Sequence, residues 1–214
     1  MHQTINNLIS INKQLYLAKC NSNIIAVSKT FTLPSIIPLI DFGHIHFGEN
    51  KVQEATNKWA NIKEQIPEIN LHMIGRLQSN KAKEAIKLFD YIHSLDSTKL
   101  ADLLAKFEQS LNIKRKYFIQ VNLANEKQKN GINIEQVDEF YNHCTRSLQL
   151  NIVGLMAIPP VNENETKYFK LLVQLNQSLG LSELSMGMSA DFKEALKYNT
   201  TFVRIGSAIF GRRV

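Results

Sequence analysis

The chain has only two cysteines in 214 residues, Cys20 and Cys144, far apart and outside any C-x-x-C pair. A disulfide framework is therefore excluded, and both are expected to be reduced packing residues. Long hydrophobic runs are also missing. The longest, such as Ile24–Val27 and Gly154–Met156 with its flanks, fall far short of a membrane span. Residues 1–20 lack the compact apolar core and small-residue cleavage site of a signal peptide, so a cytoplasmic location is expected. Their Ile5, Leu8, Ile9 and Leu15 predict an amphipathic helix instead. There is no low-complexity linker, internal repeat or break in composition. One domain is expected over 1–214, with an N-terminal helix at 1–20 and the main body at 24–211.

Metal and nucleic-acid chemistry also lack support. His44 and His46 alternate along one strand, but no third ligand follows at readable spacing, so no metal is expected. His72 and His93 occupy strand positions and are expected to be satisfied core histidines. The net charge of +6, from 25 basic and 19 acidic residues, favours anionic partners. Nucleic acid would require a clustered basic face with stacking aromatics; Lys81, Lys83 and Lys87 predict only a solvated helix face.

What the chain does have is an unbroken alternation. Short β-rich segments begin near Ile24, Ile45, Leu71, Tyr91, Tyr117, Leu150, Glu183 and Phe202, spaced 19 to 33 residues apart. Each interval accommodates one helix and two loops, the rhythm of a parallel sheet. Helical stripes stand between them: Val52, Ala55 and Trp59; Ala82, Ala85, Ile86 and Phe89; Leu100, Leu103, Leu104 and Phe107; Val137, Phe140, Tyr141 and Cys144; Phe169, Leu172, Val173 and Leu175. Eight strands at this rhythm predict an α/β fold, a single (β/α)8 TIM-type barrel with an extra N-terminal helix.

Such barrels carry their working groups at the C-terminal ends of the strands. There the first strand, Ile24-Ile25-Ala26-Val27-Ser28, delivers Lys29, while Ser189 and Val203-Arg204-Ile205-Gly206-Ser207 end the last two strands. An amine on an apolar strand pairs with an anion or, once deprotonated by desolvation, condenses with an aldehyde. Ser189 offers a hydroxyl and an N-cap for the next helix; Gly206 and Ser207 offer close backbone approach and free N–H groups. A lysine opposite a phosphate cradle suits pyridoxal 5′-phosphate (PLP), which has an aldehyde at one end and a phosphate at the other.

Eight runs in register then resemble the pyridoxal phosphate homeostasis protein family, a group similar to the barrel domain of fold-type III PLP enzymes such as alanine racemase. They are Ala26-Val27-Ser28-Lys29-Thr30, Phe47-Gly48-Glu49-Asn50, His72-Met73-Ile74-Gly75-Arg76-Leu77-Gln78-Ser79-Asn80-Lys81, Ser94-Leu95-Asp96, Gln120-Val121-Asn122, Gly154-Leu155-Met156-Ala157-Ile158-Pro159-Pro160, Leu184–Asp191 and Val203–Arg212. The resemblance implies a PLP aldimine on Lys29, a phosphate site at Ser189, Gly206 and Ser207, and Arg204 beside the pyridine nitrogen. An arginine there disfavours a pyridinium and restrains carbanion chemistry. Asn50 is expected near the phenolic oxygen or phosphate and Met156 against the ring face, with Ile74, Ser185 and Met188 flanking. Leu71, Lys51 and Asn199 depart from the family's usual aromatic, tyrosine and glycine; Ser207 replaces a common threonine.

The chain ends at Phe210-Gly211-Arg212-Arg213-Val214, soon after the eighth strand, so the second domain that supplies a racemase's tyrosine is not expected. Tyr91 and Tyr117 stand at strand starts, away from the mouth. The expected function is therefore intracellular PLP homeostasis: a monomeric, non-catalytic carrier that stores, buffers or transfers PLP, with PLP-dependent apoenzymes as recipients. The alternative is a PLP-dependent amino-acid racemase.

Overall fold

The computed structural model describes residues 2–126, 130–161 and 163–211. All eight predicted strands form: β1 (Asn23–Val27), β2 (His46–Glu49), β3 (Asn70–Met73), β4 (Tyr91–Leu95), β5 (Lys116–Asn122), β7 (Asn151–Met156), β8 (Glu183–Met188) and β9 (Phe202–Ile205). They pair in parallel in the order β4-β3-β2-β1-β9-β8-β7-β5, and a β4–β5 pairing closes the barrel. The two-residue β6 (Ile132–Asn133) adds to β5 outside this ring.

The period-2 alternation of a strand separates two packed layers. On β1, Ile24 and Ala26 join the outer core beneath the helices, while Ile25 joins an inner cluster with Tyr91, Phe118, Met156 and Phe202. On β9, Val203 and Ile205 likewise face the outer core and Phe202 the inner one.

The helices are α1 (Gln3–Leu17), α2 (Leu33–Asp41), α3 (Val52–Gln65), α4 (Ala82–Leu88), α5 (Thr98–Leu111), α6 (Val137–Asn142), α7 (Glu165–Ser178), α8 (Phe192–Leu196) and α9 (Ser207–Phe210). Val52, Ala55 and Trp59 bury the predicted face of α3. In α1 the buried side chains are Thr4, Leu8, Ile11 and Leu15, whereas Ile9 is 41% exposed. Ile11, three residues after Leu8 and four before Leu15, continues the stripe that Ile9 leaves. The Asn7 amide donates to Ile209 O at 2.8 Å, tying α1 to α9. Helix α2 contains Pro38 yet still buries Ile36 and Leu39, with a second proline at its first turn, where a missing N–H costs least. Helix α6 runs into a π-helical turn, His143–Ser147, that buries Cys144. Burial, then the nearby Asp102 carboxylate, pushes the Cys144 thiol up to about 12. Cys20 is also buried and unbridged.

Among the described residues no helix is long and apolar enough to cross a membrane, and no three His, Cys, Asp or Glu cluster for a metal ion.

Candidate functional site

A cavity of about 650 Å³ opens at the C-terminal ends of the strands. Six of the seven predicted site residues line it: Lys29, Asn50, Ser189, Arg204, Gly206 and Ser207. Val27, Ile74, Ile158 and Met188 add apolar wall. Met156 is not among the lining residues; it is wholly buried in the inner cluster below. Ile158 stands two residues further along the same inward-facing row, and it is Ile158 that reaches the cavity. The ends of β4 and β5 do not contribute. Asn122 instead closes its own loop, donating to Glu126 O at 3.0 Å and accepting from Glu126 N–H at 3.2 Å.

Half-buried Lys29 leaves β1 through a tight turn in which Thr30 takes the left-handed conformation at φ 68°. Beneath the turn lies a buried polar clamp that sequence reasoning missed. Glu49 Oε1 accepts from Ser28 Oγ at 2.7 Å, Lys58 Nζ at 2.9 Å and Trp59 Nε1 at 3.0 Å. Lys58 also donates to Ser28 O at 2.9 Å, and Glu54 Oε1 accepts from the Thr30 N–H at 2.6 Å. Glu49 and Lys58 are 0% and 9% exposed at their side chains, so removing either partner strands a buried charge. The clamp fixes the backbone on both sides of Lys29. Its one sequence signal is Glu54 and Lys58 at i,i+4 on a predicted helix.

Asn50 is placed by Gly75: a Cβ there would lie 2.5 Å from Asn50 O, so only glycine admits this approach. Asn50 Oδ1 is buried without a hydrogen-bond partner among the described residues.

Ser189 was expected to cap the helix after its own strand. Asp191 holds that position, and its Oδ1 accepts from Met188 N–H at 2.5 Å. Ser189 Oγ instead accepts from the Gly206 and Ala208 N–H groups at 3.2 and 3.4 Å, joining the loops after β8 and β9. A hydroxyl and converging N–H groups can take an anion's oxygens. Gly206 has φ −110°, and a Cβ on it would meet Val27 at an ordinary 3.4 Å, so neither crowding nor a positive φ requires glycine here.

Arg204 is 4% exposed. One terminal nitrogen donates to Ser185 O and Ser185 Oγ, both at 2.7 Å; the other donates to Ala157 O at 2.9 Å. A guanidinium has five N–H groups, so these bonds leave donors for the cavity it lines. Burial lowers its pKa to about 10, opposed by the Asp191 carboxylate, and it stays charged at neutral pH. Ser185, expected only as a flanking residue, is thus part of the arginine's seat. Tyr91 is buried in the inner cluster and Tyr117 in the outer core, where it donates to Glu108 Oε1 at 2.9 Å.

A parallel barrel with a strand-end lysine, a serine and a glycine–serine turn on one cavity defines a class. The chain matches the family described as alanine racemase, N-terminal domain, over residues 4–214. Within that class it is 38% identical over 200 residues to the pyridoxal phosphate homeostasis protein of Vibrio alginolyticus, covering 89% of this chain and 86% of the relative. The chain belongs to the pyridoxal phosphate homeostasis protein family. The structure of PipY from Synechococcus elongatus with PLP bound is similar at TM-score 0.88 and 32% identity, over 98% of this chain and 100% of PipY. Alanine racemase from Clostridium difficile shares the fold at TM-score 0.76 and 13% identity, over 99% of this chain and 57% of the racemase.

Proposed function

We propose that this chain binds PLP in the cavity and serves intracellular PLP homeostasis by storing, buffering or transferring it. The observation that carries the reading is that Lys29 and the Ser189–Gly206–Ser207 cradle line one cavity of about 650 Å³. PLP supplies an aldehyde that traps amines reversibly. Lys29 Nζ would hold the aldehyde end, and Ser189, Gly206 and Ser207 would hold the phosphate. Arg204, with donors to spare on the same cavity, would hold the ring nitrogen and disfavour its protonation. Asn50, whose Oδ1 has no partner among the described residues, would hold a polar edge of the ligand. Ile74 and Ile158 take the ring-face role expected of Met156.

The same lining supports a carrier over a racemase. Inverting an amino acid takes proton-exchanging groups on both faces of the substrate carbon, each contributing roughly 10²–10⁴ in rate. Among the described lining residues Lys29 can exchange a proton, Arg204 stays charged, and no tyrosine is present. We place this carrier in the cytoplasm, as one monomeric domain that hands PLP to PLP-dependent apoenzymes.

The test is a visible absorption spectrum after PLP addition and dialysis, with borohydride trapping and peptide mapping. Wild type is expected to keep a violet-edge band and a reduced adduct on the β1 peptide; Lys29→Ala loses both. A colourless wild-type protein without adduct overturns the reading. Rapid exchange of amino-acid Cα protons in deuterated water overturns the carrier role.

A further inference from the structure

The inner face of the barrel carries a polar row that cofactor binding does not by itself require. His46 Nδ1 lies 3.0 Å from His72 Nε2, His72 Nδ1 lies 2.9 Å from His93 Nε2, and His93 Nδ1 lies 2.8 Å from Ser185 Oγ. Ser185 Oγ in turn accepts from Arg204 at 2.7 Å. The row therefore runs from half-buried His46, at the N-terminal end of β2, to the arginine lining the cavity.

Barrel stagger builds it. His72 pairs with Gly48, two residues beyond His46, and Tyr91, which pairs with His72, lies two residues before His93. Each step to the next strand thus climbs two residues toward the C-terminal mouth, and period 2 keeps every histidine facing inward. Aromatic rings enclose the row: Tyr91 stacks on His72 and Phe118 on His93, each at 4.4 Å, and Phe202 sets its edge near all three imidazoles. Burial is the first cause holding all three below the ordinary imidazole pKa. The charged groups that reach them are Asp90 and Lys116 at His46, Lys63 at His72, and Arg204 at His93.

Neutral imidazoles have one donor and one acceptor each, so one end of the row dictates the rest. Arg204 can only donate, and it donates into Ser185 Oγ. Among the described contacts the remaining partner for the hydroxyl proton is His93 Nδ1, which must then accept. The His93 proton therefore sits on Nε2 and goes to His72 Nδ1; the His72 proton sits on Nε2 and goes to His46 Nδ1. One reversed ring would set two protons, or two lone pairs, against each other at about hydrogen-bond distance.

We propose that His46, His72, His93 and Ser185 are positioning residues for Arg204. They form a one-way hydrogen-bonded chain, all three histidines in the Nε2–H form, that aims the Ser185 lone pairs at the guanidinium from the far end of the barrel. The consequence for PLP rests on the proposed function; the chain itself does not.

The first test is long-range ¹H–¹⁵N correlation of the histidine rings in protein freed of PLP, at neutral pH. All three rings are expected to show a pyrrole-type Nε2 and a pyridine-type Nδ1. Ser185→Ala removes the proton that polarises the row, and mixed tautomers should then spread as far as His46, whereas Ser185→Thr restores the pattern. A Nδ1–H or charged ring in wild type overturns the proposal, as does a Ser185→Ala protein whose His72 and His46 signals stay unchanged. Cooperative thermal unfolding checks that each variant is folded. In the second test, PLP titration, Ser185→Ala should weaken affinity roughly tenfold, as expected for loss of one hydrogen bond to a charged group. Unchanged affinity overturns the positioning role. If wild type binds no PLP the proposed function fails, and the tautomer pattern still decides the chain.

Discussion

The two ends of the barrel interior are built from similar residues under opposite rules. Toward the N-terminal ends, His46, His72 and His93 bond to one another and are walled in by Tyr91, Phe118 and Phe202. At the C-terminal mouth the strands deliver Lys29, Asn50, Ser189 and Arg204 to a cavity, with Asn50 Oδ1 left without a partner among the described residues and donors to spare on Arg204. The histidine row pairs its polar groups internally and so serves folding, although Glu183 Oε2 at the start of β8 is buried without a partner among the described residues. The mouth leaves some for a ligand, at a cost that stability must absorb elsewhere. Arg204 belongs to both halves, held from below and presented above.

That division can be tested by substitution. The largest effect should come from Phe202→Ala, which removes the ring packed on His46, His72, His93, Tyr91 and Phe118. About 3–5 kcal/mol of stability should be lost in urea unfolding; a loss below ~1 kcal/mol would mean the lower half is not the stabilising one.

Acid should act next, and mainly on the same half. Burial lowers His44 from 6.5 to about 4, and lowers His46, His72 and His93 in the same direction. Between these values the unfolded chain binds protons that the folded chain refuses, so stability is full above pH 6.5 and falls toward pH 4. His44 alone accounts for on the order of 3 kcal/mol. Asp96, Glu183 and Asp191, raised by burial, act in the opposite sense from their ordinary values of 3.8 and 4.5 upward. Thermal unfolding between pH 7 and 5 reads the balance of the two groups; a midpoint that falls with the pH is expected from the four histidines, and a flat or rising one would contradict their dominance.

The smallest effect on folding should be Asn50→Ala at the mouth. With Oδ1 unpartnered, the change is expected within ~0.5 kcal/mol, while PLP retention after dialysis should fall. A large loss of stability would place Asn50 with the lower half instead.

Much of this was legible in the chain. Alternating apolar segments located all eight strands, because buried parallel strands demand continuous apolar runs whatever their neighbours. Helix α2 was harder to read, since Pro38 argues against a helix that tertiary packing of Ile36 and Leu39 sustains. Ile9 was read into the buried stripe that Ile11 fills, and Ile158 rather than Met156 lines the cavity. Both are slips of position along a correctly read element, where one or two residues decide between core, solvent and cavity. Ser189 does line the cavity, but its hydroxyl accepts from N–H groups at the start of α9 rather than capping the helix after its own strand. The Glu49–Lys58 clamp left only a weak helical-pair signal, and the histidine row left none, because its members come from three different strands.

The amino-acid sequence by itself determined the strand count, the parallel order and the lysine and glycine–serine runs at strand ends. Local periodicity and residue chemistry carry those. Only the tertiary structure decided that six of these residues share one cavity, that Ser189 bridges two loops, and that Arg204 is seated through Ser185 on a row of histidines. The reason is geometric: which inward-facing side chains meet depends on barrel closure and stagger, and these are properties of the assembled sheet that no single strand encodes.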